Sequence, residues 1–289
     1  MQAGDHALIL LDDARGLRVR AVALDDVVAT LLSRHAPSPP AAHAIGRAAL
    51  AVALYPTSFK ELERVSVQVS GNGPLGSVFA EMRAPGTLRA MVRDTTAIVP
   101  GFHDDDARRS GLGVGRAGLV SVLRQDHEGR VSNGQILLSG GHIDDDVAGY
   151  FKESEQVETR VRVRFDRAPT LRARGVLVQV LPGGDARALP DDESLDRALT
   201  SADDPLAIAR AALGGAELRL VERVPLSFAC TCSRERVRTS FALLDDALLE
   251  AAIVEDEGAS VRCDFCAEAY AFTRAELETI ARERAEARG

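Results

Sequence analysis

Four cysteines lie in the last sixty residues of this 289-residue chain, and no other position is a cysteine. They form two close pairs, Cys230-Thr231-Cys232 and Cys263-Asp264-Phe265-Cys266, thirty residues apart. Each pair can hold one side of a tetrahedral ion, and the stretch between has only to fold back to complete a four-cysteine set. Four thiolates are soft ligands that favour one zinc ion over magnesium or calcium, and an iron–sulfur cluster is the lesser alternative.

The spacing leaves three uses open. A static zinc ribbon suits C-x-x-C pairs, although C-x-C is a rarer spacing. Structural disulfides need an oxidising compartment, whereas the start MQAGDHALILLDD has no basic n-region, so the chain is expected to be cytoplasmic, where thiols stay reduced. The third use is a switch. Oxidation takes an exposed thiolate through sulfenic acid to a disulfide, which is no longer an anionic ligand, and a short, strained disulfide is readily reduced again.

The elements that must position these thiols follow from periodicity. Residues 7–24 read as a hairpin turning at Asp13–Gly16, followed by helices over Asp25–Ser33 and from Pro39 to about Tyr55. Alternation places strands near 63–70, 75–82, 87–92, 117–124, 131–138, 159–165 and 175–181. The expected class is α+β: an antiparallel-sheet core with a few helices over 1–181, a helical linker over 182–225, and a small zinc domain built on the four cysteines over 226–289. Short amphipathic helices at Glu193–Thr200 and Pro205–Leu213 make up the linker, and Leu195, Leu199, Leu206, Ile208 and Leu213 are the side chains they must bury. Helices are expected in the tail at 236–256 and 273–286. A tail of that size is marginal without a staple, and structural zinc supplies about 10–16 kcal/mol in small modules.

Other chemistry-bearing patterns are weaker. Gly113-Val114-Gly115-Arg116-Ala117-Gly118 matches G-x-G-x-x-G, but acids and arginines precede it and strand-like LVSVL follows, so a turn between strands is expected rather than a dinucleotide site. His103-Asp104-Asp105-Asp106 and His142-Ile143-Asp144-Asp145-Asp146 resemble ligand clusters, yet Asp144 or Asp145 reads better as the cap of a helix beginning at Val147. His43 reads as a helix-surface histidine, and Ser154, Glu155 and Gln156 as buried hydrogen-bonding groups. There is no G-x-S-x-G, H-E-x-x-H or phosphate loop, so no enzyme is expected.

The balance of 35 Lys and Arg against 43 Asp and Glu gives a net charge of −8. Residues 226–289 hold 8 Arg and 13 Asp or Glu, and an acidic tail argues against a nucleic-acid partner. No stretch approaches the roughly twenty apolar residues of a membrane span.

FACTCSRERV (228–237) and VRCDFCAEAYAF (261–272) resemble the redox-switch domain of the heat shock protein thirty-three family. YFKESEQVET (150–159) and VSVQVSGNGPLG (65–76) are similar to further segments of that family, with Glu158 where it usually has proline. The resemblance implies a redox-regulated, ATP-independent holdase with Cys230, Cys232, Cys263 and Cys266 on one zinc ion. It implies a monomer when reduced. On oxidation it implies Cys230–Cys232 and Cys263–Cys266 disulfides, zinc release, unfolding of tail and linker, and a homodimer that binds unfolding client proteins. The five linker side chains named above are then candidates for client binding. Two other classes compete: a constitutive zinc-ribbon binding module, and a thiol oxidoreductase using Cys263 and Cys266, which lacks a thioredoxin-like βαβ context.

Overall fold

The computed structural model describes residues 4–55, 62–103, 113–254 and 258–288. They divide into two compact units, one running to Ala229 and the other starting at Cys230.

The first unit begins with the hairpin β1 (His6–Asp12) and β2 (Leu17–Ala23), then α1 (Asp25–His35) and α2 (Pro39–Ala53). Strands β3 (Leu62–Gly71), β4 (Ser77–Arg83), β5 (Thr87–Val92), β6 (Gly118–Asp126) and β7 (Val131–Leu137) lead to α3 (Ile143–Glu153). After β8 (Thr159–Asp166) and β9 (Arg172–Val180) come α4 (Asp192–Ser201), α5 (Pro205–Ala212), β10 (Arg219–Pro225) and β11 (Ser227–Phe228). One sheet has the order β10-β1-β2-β9-β8 and the other β11-β5-β4-β3-β6-β7. All pairings are antiparallel except the short β11–β5 contact. The α+β class with antiparallel sheets is as the periodicity predicts.

Helix α2 organises the core. Its sequence, PPAAHAIGRAALAVA, is apolar around most of its circumference, and a helix of that kind is stable only when enclosed. It is buried from Pro40 to Ala53 and packs against β4 and β5 of one sheet and β8 and β9 of the other. Gly46 permits the approach to β8, because a Cβ there would lie 3.0 Å from the Phe165 ring. His43 is therefore not on a surface: it is 1% exposed, with its ring edge-on to Phe102 and Phe165. Arg47 on the same helix is buried and pairs with buried Asp144 at 3.2 Å.

Other expectations are corrected as well. The third helix begins at Ile143, so Asp144, Asp145 and Asp146 fill its first turn instead of capping a helix at Val147. Asp146 accepts hydrogen bonds from the backbone N–H groups of Ser139 and Gly140, and Asp144 is held by arginines. Asp104, Asp105 and Asp106 lie outside the described residues. Of the trio 154–156, Glu155 accepts from the Tyr55 hydroxyl at 2.5 Å and pairs with Arg124, whereas Ser154 and Gln156 are exposed. Glu158 sits in the turn before β8, within 3.6 Å of Lys152. The glycines at 113–118 interlock with residues 72–75 through backbone hydrogen bonds and run directly into β6, as a turn between strands does.

Helices α4 and α5 cover the outer face of the first sheet. Asp191 and Asp204 cap them by accepting from the backbone N–H groups of Ser194 and Leu206. Leu195, Leu199, Ile208 and Leu213 are buried against Leu8, Leu10, Leu17, Val19, Ala21, Val176 and Val178, and Leu206 is partly buried there. Strand β10 is an element the periodicity does not reveal; it pairs with β1 from His6 opposite Pro225 to Leu11 opposite Arg219.

The second unit contains α6 (Arg234–Ala242), α7 (Asp246–Val254), β12 (Gly258–Arg262), β13 (Ala269–Thr273) and α8 (Arg274–Arg288). The single helix expected over 236–256 is two, because Asp245 accepts from the Leu248 N–H and starts α7 afresh. The antiparallel β12–β13 hairpin is likewise absent from the periodic signal. Among the described residues no helix is long and apolar enough to cross a membrane.

If α2 is the core element, Leu50→Ala, at a fully buried position on it, lowers stability by about 2–5 kcal/mol. Denaturant titration would show this as a lower midpoint at unchanged slope, whereas a loss under about 1 kcal/mol would contradict the packing described.

Candidate metal centre

The second unit brings its four thiols together from two local structures. Cys230 and Cys232 lie in the extended segment before α6, which Ser233 caps by accepting from the Arg236 N–H at 3.2 Å. Arg236 in turn donates to the Thr231 carbonyl at 2.6 Å and ties down the residue between the two cysteines. Cys263 and Cys266 occupy the turn joining β12 to β13. That turn is closed by the Cys263 N–H to the Glu268 carbonyl and the Ala267 N–H to the Cys263 carbonyl, at 2.9 and 2.8 Å. Ala267 completes it in the left-handed region, with φ of 57°.

A second set of contacts fixes these pieces to the unit's core. Thr273 and Glu276 form a reciprocal capping box at the start of α8, with the Thr273 N–H donating to Glu276 at 2.8 Å and the Glu276 N–H to the Thr273 hydroxyl at 3.4 Å. The Thr273 N–H and the Arg234 guanidinium hold the Glu276 carboxyl at a pKa of about 2. Arg234 also stacks over the Phe272 ring. Phe241, Leu249, Phe272, Leu277 and Ile280 form the buried core, which is small for a unit of this length.

The four Sγ atoms all lie within 4.8 Å of one another. Cys230 and Cys263 are 3.7 Å apart and Cys232 and Cys266 are 3.2 Å apart, and all four are free thiols. Sulfurs at about 2.3 Å around a tetrahedral zinc are separated by roughly 3.8 Å, so this donor set fits one such ion. Cys266 is buried and the other three are half-buried. Burial alone would raise the Cys230 thiol, but the Cys232 N–H and neighbouring thiols bring it down to about 7. Burial raises Cys263 and Cys266. The Tyr270 hydroxyl donates to Cys232 Sγ at 3.2 Å, which raises the phenol itself. Such an arrangement can hold a soft divalent cation, and it presents part of each pair to solvent.

Sequence spacing singles out these four residues. It does not reveal Tyr270, whose place on the strand leaving the cysteine turn is the available signal. The linker side chains Leu195, Leu199, Leu206, Ile208 and Leu213 belong to the first unit's outer core and form no part of this cluster.

Residues 5–273 match the family model described as Hsp33 protein. The chain is 30% identical to a 33 kDa chaperonin of Shouchella clausii, over 92% of this chain and 94% of that one. It is 29% identical to a 33 kDa chaperonin of Halalkalibacterium halodurans, over 97% and 99% of the two chains. The crystal structure of a 33 kDa chaperonin, a heat shock protein 33 homolog from Thermotoga maritima, superimposes with a TM-score of 0.85 over 98% of this chain and 100% of that one. At 23% identity that likeness speaks to the fold.

Replacing a ligand and replacing its neighbour are expected to differ in degree. With zinc as the probe ion, Tyr270→Phe is expected to lower affinity roughly 10–100-fold, as loss of a hydrogen bond to a metal ligand does, and Cys263→Ser to lower it further. Competition with a chromophoric chelator measures both. Unchanged affinity in Cys263→Ser contradicts the four-thiol site.

Proposed function

The chain belongs to the Hsp33 family, and from that premise we propose that it is a redox-regulated, ATP-independent holdase of the cytoplasm that binds unfolding client proteins under oxidative stress. The observation that carries the reading is the gathering of all four thiols within 4.8 Å in a unit whose core, among the described residues, holds five buried apolar side chains. Cys230, Cys232, Cys263 and Cys266 are the residues that would hold zinc. Bound there, the ion supplies charge neutralisation for four thiolates and a cross-link between the two halves of the unit.

The redox chemistry belongs to the cysteines. A thiolate attacks one oxygen of peroxide, breaking the O–O bond to give a sulfenic acid and hydroxide, which takes a proton to become water. The neighbouring thiol then attacks that sulfur and expels a second water. Each pair of thiols thus gives two electrons to one peroxide as its disulfide forms, and Cys230–Cys232 and Cys263–Cys266 are the pairs proposed. A sulfur in a disulfide has lost the negative charge a cation requires, and the unit's small core does not keep it folded alone.

Unfolding exposes Phe241, Phe272, Leu249, Leu277 and Ile280, and release of α4 and α5 exposes Leu195, Leu199, Leu206, Ile208, Leu213 and the sheet face beneath them. These surfaces are the ones offered to clients, with a reduced monomer giving way to an oxidised dimer. Holding clients in this way needs no nucleotide, and no phosphate loop is present in the sequence.

The test is light scattering of a heat-unfolded client, with protein kept reduced or treated with peroxide at raised temperature, while zinc release is followed colorimetrically. Suppression of aggregation only after oxidation, in step with zinc release, is expected. Equal suppression by both forms indicates a static zinc module, and catalytic turnover of a disulfide substrate indicates an oxidoreductase.

A further inference from the structure

The face of the first sheet beneath α4 and α5 has two halves of different chemistry. Strands β1, β2 and β9 present leucine, valine and alanine to the helices. The edge strand β8 presents arginine: Arg162 stands opposite Val176, and Arg164 opposite Arg174, with Arg172 at the end of the same strand pair. Helix α4 matches this division. Leu195 and Leu199 enter the apolar half, while Asp192, Asp196 and Thr200 recur one helical turn apart on the adjoining stripe, and Asp203 continues it past the helix end.

Each member of that stripe meets the arginine row. Arg162, with its side chain 1% exposed, lies 2.5 Å from Asp192 and 3.2 Å from Asp196. Arg164 donates to the Thr200 hydroxyl at 3.0 Å. Arg172 pairs with the Asp203 carboxylate at 2.8 Å, and Arg174 donates to the Asp203 carbonyl at 2.7 Å. Asp144 and Asp145 of α3 approach Arg162 from the other side, at 3.7 and 2.9 Å.

Leucines alone would cover a purely apolar face. An arginine buried at its edge costs desolvation that carboxylates must offset. Asp144 and Asp145 supply part of this for Arg162, and Asp166 and Asp25 pair with Arg164 and Arg174, so the row favours an acidic occupant that completes the set and disfavours a basic one. We propose that this arginine row makes the face a charge-reading interaction surface for amphipathic polypeptide segments that carry carboxylates a helical turn apart beside leucines, α4 being the segment it holds in cis. Because the acids remain partly solvent-exposed, these pairs select the occupant more than they tighten it. Use of the face by clients in trans rests on the function proposed above; the surface itself does not.

The test uses reduced, zinc-loaded full-length protein, so neither oxidant nor client enters. Leu195→Ser removes the main apolar anchor of α4, and retained exchange protection of β9 amides shows that the sheet is intact. A fluorescent peptide of residues 190–214 is titrated into this variant, beside the same peptide with Asp192→Asn, Asp196→Asn and Asp203→Asn. The native peptide is expected to bind roughly tenfold more tightly, with the difference vanishing at high salt. Equal binding of the two peptides, or binding of neither, overturns the proposal.

A second measurement needs no vacated face. In the otherwise unaltered chain, Asp192→Asn with Asp196→Asn speeds hydrogen exchange of α4 amides about tenfold and leaves β9 amides unchanged. Unchanged α4 exchange also overturns the proposal. Failure of the oxidised protein to protect clients, with both results obtained, counts against the proposed function and leaves the surface standing.

Discussion

Four sulfurs within 4.8 Å of each other are compatible with a folded chain only while their charge is controlled. Two thiolates about 4 Å apart repel by about 1 kcal/mol in water and about 4 kcal/mol at the effective dielectric of a protein surface. Four thiolates would make six such pairs, so without a cation the buried sulfurs hold their protons, as the raised Cys263 and Cys266 thiols do. A divalent cation at their centre reverses the sign of the balance. The local turns around Cys230–Cys232 and Cys263–Cys266 therefore act as a preformed frame: hydrogen bonds from Arg236, the Cys263 N–H and the Ala267 N–H aim the sulfurs at a common point without neutralising them.

The first unit is governed by a different constraint, the enclosure of α2 between two sheets. Its alanines and Gly46 keep the helix slender enough for both sheets to approach, and its two polar side chains inside the core are accommodated separately. Arg47 pairs with Asp144, and His43 fits edge-on between two aromatic rings. The same Asp144 also faces Arg162 at the other side of β8. Burial alone would lower the affinity of Arg162 for its proton, but the four surrounding aspartates raise it above the ordinary arginine value. A chain of charge thus runs from the central helix through α3 and β8, buried from Arg47 through Asp144 to Arg162, and ends on the partly exposed acids of α4.

What can be read from the sequence follows the strength of each periodic signal. Val65, Val67 and Val69 alternate cleanly, and β3 lies where the alternation puts it. The chelating spacing of the cysteines identifies the cluster because such spacing has few other uses. Strand β10, RLVERVP, escapes that reading because it is an edge strand with most of its residues exposed, so little alternation survives. The break between α6 and α7 depends on the Asp245 carboxylate competing for a backbone N–H, a local event that helical periodicity does not register. His43 is misplaced by periodicity for a related reason: an alanine-rich helix has a weakly defined face, and only the second sheet decides that no face is left to solvent.

The linker helices show how order can be conditional without the sheet being so. Helices α4 and α5 have 10 and 8 residues, below the roughly 12–15 at which isolated helices become even marginal in water. Their structure is thus borrowed from the sheet face they cover. The segment is anchored at both ends by backbone pairing, with the Leu181 N–H donating to the Gly16 carbonyl before it and β10 laddered onto β1 after it. Were the helices to leave the face, the chain between those anchors would become a closed loop while the sheet kept its hydrogen bonds. Closure entropy grows only slowly with loop length, by about 0.6 kcal/mol per doubling. The opposition to release comes chiefly from the leucine contacts, while the arginine row sets which competing segment could reproduce them.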